Sequence, residues 1–86
     1  MPNLFDEAPD AQTVQRHISA MGDSVYLINK LISEGVHSES IHDTVDRNTR
    51  HLQIMLDKDY IQNSGTDLTV FQTAIDNGNA FISQPV

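Results

Sequence analysis

Residues 48–82 read NTRHLQIMLDKDYIQNSGTDLTVFQTAIDNGNAFI, two amphipathic segments joined by Asn63-Ser64-Gly65-Thr66-Asp67. Gly65 stops one helix and Thr66 or Asp67 caps the next, so the stretch predicts a helical hairpin. In its first half Leu52, Met55 or Leu56, Tyr60 and Ile61 mark the apolar seam; in its second half Leu68, Phe71, Ala74 and Ile75 do so. Asp76-Asn77-Gly78 resembles a stop. The spacing nevertheless stays helical from Ile75 through Gly78 to Phe81 and Ile82, and continuation is the reading we adopt.

Upstream, Val14, Ile18, Met21, Val25, Ile28 and Ile32 recur in alternating steps of four and three, with Leu27 and Leu31 widening the stripe. Asp10 precedes this pattern as an N-cap and Gly35 follows it as a left-handed C-cap. The helix so defined is roughly 36 Å long at 1.5 Å per residue. Gly22 weakens its middle and invites a kink, or else Ser19, Ala20 and Gly22 form a patch of small residues for a close backbone approach. Ser38 or Ser40 caps the second helix, which opens with Ile41 and Val45; Asn48 falls on its seam. Asp43 with Arg47, and Asp46 with Arg50, are acid-before-base pairs four apart on its solvated face.

The fold predicted is all-α: a three-helix bundle, or a long hairpin with a third helix packed across it. Residues 10–84 form the single domain, with helices at about 10–34, 39–62 and 67–83. Residues 1–9, MPNLFDEAP, form an extended acidic arm whose Leu4 and Phe5 either fold back on the bundle or dock on a neighbouring subunit. A chain of 86 residues buries only about 60–65% of the surface it exposes unfolded, so its own core is thin. Association with a copy of itself or with a larger protein adds burial.

Charge narrows the partners. Five bases against twelve acids give a formal net charge of −7, which disfavours binding nucleic acid through a basic patch or settling on an anionic membrane. The absence of cysteine excludes disulfides and thiolate metal sites. No apolar run approaches the roughly 20 residues of a membrane span, and the first ten residues lack a signal-peptide pattern. The expected location is the cytoplasm of the cell that makes it, or a particle assembled there.

Catalytic and metal chemistry find little footing. His37, His42 and Asp46, with Glu39 or Asp43, gather nitrogen and oxygen donors at the start of the second helix, but at spacings that match no metal motif. His17 and His51 lie beside the apolar seams as edge residues. Asp57-Lys58-Asp59 is a solvated helix end, since neighbouring carboxylates do not enclose a substrate. Ser64-Gly65-Thr66 is too short for a phosphate loop. No catalytic residue, metal or cofactor is therefore expected, and the protein is not expected to be an enzyme.

His51-Leu52, Met55-Leu56, Lys58-Asp59-Tyr60-Ile61, Gly65, Asp67-Leu68, Phe71, Ala74-Ile75, Gly78 and Phe81 resemble a segment of small helical proteins encoded by tailed bacteriophages and prophages. That resemblance covers about two fifths of the chain and implies a phage context without an assigned activity. The function expected is assembly: a noncatalytic structural subunit of a virion, a cement, adaptor or attachment piece, working by protein–protein contacts with itself and a larger partner. Candidate contact residues are Leu4 and Phe5 in the arm, Val14, Ile18, Met21 and Val25 on the first helix, and Phe81 and Ile82 near the C-terminus. Each supplies on the order of 1.5–3 kcal/mol when buried. The competing expectation is an acidic inhibitory binder of host machinery that mimics nucleic acid, although its carboxylates are spread over the arm and all three helices.

Overall fold

A computed structural model describes residues 9–86, all of whose regular structure is helical. The first helix, α1 (Ala11–Glu34), begins where the Asp10 carboxylate accepts the Thr13 backbone N–H at 2.8 Å. It ends where Gly35, at φ 70°, donates its N–H to the Leu31 and Ile32 carbonyls. Val14, Met21, Val25, Ile28 and Leu31 line the buried face, and the helix is continuous through Gly22. A β-carbon at Gly22 would meet nothing within 4 Å, so among the described residues no neighbouring backbone uses the small-residue patch at that glycine.

The second helix, α2 (Glu39–Leu56), starts at Ser38, whose hydroxyl accepts the Ile41 N–H at 3.2 Å. It stops six residues short of the predicted end. Lys58 is extended at φ −81°, ψ 129°, and a single turn, α3 (Asp59–Gln62), follows on a new axis. Helical phase explains the break. At about 100° per residue, Ile61 lies nine positions after Leu52 and would point away from the core in an unbroken helix. The extended residue resets the phase, and Ile61 becomes fully buried beside Met55 and Leu52. Asp57 and Lys58, both exposed, make the solvated corner.

The third long helix, α4 (Thr69–Ile82), starts two residues later than the sequence suggests. The Asp67 carboxylate takes the Thr69 N–H at 3.0 Å, an Asx turn that leads into the helix, while Leu68 occupies the cap position without a side-chain bond. Beyond it, α4 runs unbroken through Gly78.

The three long helices run up, down and up. Met21, Val25 and Ile28 of α1, Leu52 and Met55 of α2, Ile61 of α3, and Phe71, Ala74 and Ile75 of α4 form the larger core cluster. Leu31, Val45 and Phe81 form a smaller one at the end of the bundle nearest the α1–α2 connection, covered by Leu27, Ile32, Ile41 and Ile82. Between the two clusters α2 and α4 touch through Thr49 and Gly78, where a β-carbon on Gly78 would overlap the Thr49 hydroxyl. That hydroxyl is buried and has no hydrogen-bond partner. The close approach of the two backbones is made at the expense of one unsatisfied polar atom.

Candidate functional site

Packing reassigns most of the predicted contact residues. Val14, Met21, Val25 and Phe81 are buried within the bundle, and Met21 has 0% exposure. Ile18 and Ile82 are half-buried against the larger and smaller clusters respectively. The premise that these side chains are the ones least needed internally is thereby corrected: a three-helix core of this size needs the whole α1 seam and the end of α4. Leu4 and Phe5 lie outside the described residues.

The large apolar side chains that do face outward are different ones. Tyr26 is 70% exposed and Ile54 58% exposed, each nearly opposite the buried stripe of its own helix. Val36 in the α1–α2 connection, Val70 on α4 and Val86 at the C-terminus are also exposed. Around them the surface is acidic: every carboxylate of the described residues is exposed except that of Asp46, which is half-buried and pairs with Arg50 at 3.1 Å. Among the described residues this is the ion pair that forms, while the Asp43–Arg47 pair expected from spacing does not. Asn48 turns its amide back to the Thr44 carbonyl at 2.8 Å, satisfied within its own helix.

Polar contacts between elements come from residues that sequence reasoning left at the edges. His17 Nδ1 lies 3.0 Å from the Tyr60 hydroxyl, joining α1 to α3, and His51 Nδ1 lies 2.9 Å from the hydroxyl of the buried Ser24, joining α2 to α1. An available signal was the hairpin itself. Folding α1 onto α2 about residue 38 places Ser24, fourteen positions before it, against His51, thirteen after it. The same reflection brings His17 near Tyr60.

A third histidine contact lies at the end of the bundle that carries the smaller cluster. His37 Nδ1 and His42 Nε2 are 2.8 Å apart. The His37 ring stacks on Phe81 with centroids 4.3 Å apart and planes 20° apart, and the His42 ring leans on the same phenyl at 5.1 Å. The two imidazoles meet edge to face, and both residues are half-buried. The capping bond at Ser38 fixes the backbone between them, so one apolar ring and one helix start hold two polar ones in register. Asp46 does not join them: among the described residues no three His, Asp or Glu side chains are grouped to hold a metal ion.

Two carboxylates are held below their ordinary value of 3.8. For Asp10 the cause is the Thr13 backbone N–H it accepts, and for Asp67 that of Thr69. Both are structural caps. Among the described residues no cavity opens between the helices, and no helix is long and apolar enough to cross a membrane. No known protein family, curated protein or solved structure matches the chain.

Proposed function

We propose that the protein is a noncatalytic assembly subunit, acting through contacts with copies of itself and with a larger protein in a tailed-phage particle or in the host cytoplasm where it forms. The observation that carries this reading is how the apolar side chains are divided. Among the described residues the inward seams close a core in which no cavity opens, and the large apolar groups left outward, Tyr26, Val36, Ile54, Val70 and Val86, stand on an acidic surface. Such a molecule offers other proteins something to bury. The phage setting is supported by the resemblance of residues 48–82. Leu4 and Phe5 of the arm remain candidate contacts, and Tyr26 and Ile54 replace the buried residues of the α1 seam.

Sedimentation velocity of the full chain at micromolar concentration tests self-association; a strict monomer at every concentration counts against it. Quantitative mass spectrometry of purified particles tests the setting, with a fixed copy number expected and absence from the particle overturning it. The acidic surface, at net charge −7, also suits a binder that imitates nucleic acid. That second reading requires partner affinity to fall steeply with added salt.

A further inference from the structure

We propose that His37 and His42 form a two-nitrogen site for a late first-row divalent metal ion, Cu(II) or Ni(II), at the end of the bundle. The inference is independent of the assembly reading. It starts from the 2.8 Å between His37 Nδ1 and His42 Nε2. As neutral rings they share one hydrogen, so one nitrogen donates and the other accepts. A shift of that hydrogen to the outer nitrogen of its own ring leaves both inner nitrogens as free lone pairs, with no change in the protonation of either residue. Neutral imidazole is a ligand for zinc, copper, nickel and iron.

Bite distance selects among them. At metal–nitrogen bonds of roughly 2.0–2.1 Å, a right angle at the metal needs nitrogens about 2.9 Å apart and a tetrahedral angle about 3.3 Å. The observed separation suits the right angle of tetragonal Cu(II) and Ni(II), and Cu(II) stands highest in the general order of divalent affinity. The ion lies to one side of the line between the nitrogens, so each ring pivots toward it. Both residues are half-buried and so not enclosed on every side. Phe81, stacked on His37 and touching His42, limits how far the rings separate and so preorganises the pair.

Local charge favours a dication. Between Lys30 and Arg47 the chain carries Glu34, Glu39, Asp43 and Asp46 and no base. These carboxylates offset the positive end of the α2 dipole, which by itself disfavours a cation near Ser38. The other two histidines lack this arrangement: each turns its Nδ1 to a hydroxyl on another element.

The test is a Cu(II) titration of the isotopically labelled full-length protein, following the ring resonances of all four histidines by NMR. The His37 and His42 signals are expected to broaden first, below one equivalent, while those of His17 and His51 persist. Uniform broadening of the four, or broadening confined to the first residues of the chain where the terminal amine lies, overturns the proposal. Because this arm uses the unaltered protein, it does not depend on any variant folding. Electron paramagnetic resonance should show coupling to two nitrogens. In His37→Gln/His42→Gln that coupling should vanish and affinity fall by at least about tenfold, as ligand loss costs no less than loss of a supporting contact. The His17→Gln/His51→Gln protein should bind as the unaltered one does. Equal Cu(II) affinity in His37→Gln/His42→Gln and the unaltered protein would sink the proposal.

Discussion

A methyl group at position 78 has no room, because the Thr49 hydroxyl occupies the place a β-carbon would take. Gly78→Ala should therefore destabilise the bundle by about 1–3 kcal/mol, the usual range for overpacking. Chemical denaturation of the single and double variants decides whether Thr49 is the cause. Thr49→Ala removes both the obstacle and an unsatisfied buried hydroxyl, so Gly78→Ala should cost much less on that background. Equal cost on both backgrounds would locate the strain elsewhere. Gly22 gives the opposite sign. Its β-carbon position is open space on an exposed face, so Gly22→Ala should stabilise by about 0.5–1 kcal/mol through helix propensity and a less flexible unfolded chain. In the sequence the two glycines look alike, each a weak point within a helical pattern. What separates them is a threonine 29 positions away on another helix, and local periodicity carries no information about that contact.

The elements themselves were mostly legible because their ends are chemically marked. Asp10, Ser38 and Gly35 act at the positions their residue types suggest, each closing backbone groups that a helix end leaves open. The Asp57–Asp59 corner was not legible, since Lys58 carries no breaking signal and neither glycine nor proline stands nearby. The clue lay in phase: Ile61 cannot share a face with Leu52 in one helix. Ile61→Ala should cost about 2–5 kcal/mol, as for other fully buried aliphatic side chains. If thermal unfolding shows no such loss, α3 is not integral to the core. Acid sensitivity also belongs to the elements. Asp10 and Asp67 have folded values below 3.8 because their carboxylates accept backbone N–H groups. Their stabilisation is complete above the unfolded value and is lost as pH falls through the lower folded one. Between pH 5 and about pH 2 the melting temperature should drop, and the drop should be smaller in Asp10→Asn/Asp67→Asn, whose amide oxygens keep the cap without titrating. An unchanged drop would assign the acid sensitivity to other carboxylates.

At the scale of the whole molecule, the sequence made the outward and inward uses of the apolar residues look interchangeable. Periodicity identifies a stripe but not whether it meets a neighbouring helix or a neighbouring molecule, and Met21, Val25 and Phe81 meet neighbouring helices. Among the described residues the three long helices leave no stripe unused, so surplus contact capacity must come from residues off the stripes. Tyr26 and Ile54 are such residues, at 70% and 58% exposure. This division makes stability and association separable. Met21→Ala, at a site with 0% exposure, should lower stability by about 2–5 kcal/mol. Tyr26→Glu and Ile54→Glu should change it by no more than about 0.5 kcal/mol, as surface substitutions do, while weakening association because a new charge must be desolvated at any interface that covers it. Circular dichroism melts of the monomer, paired with sedimentation velocity of the same samples, read the two effects apart. If the glutamate variants associate as the unaltered chain does, neither residue lies in the contact, and the faces of α1 and α2 that carry Tyr26 and Ile54 are then not how copies meet.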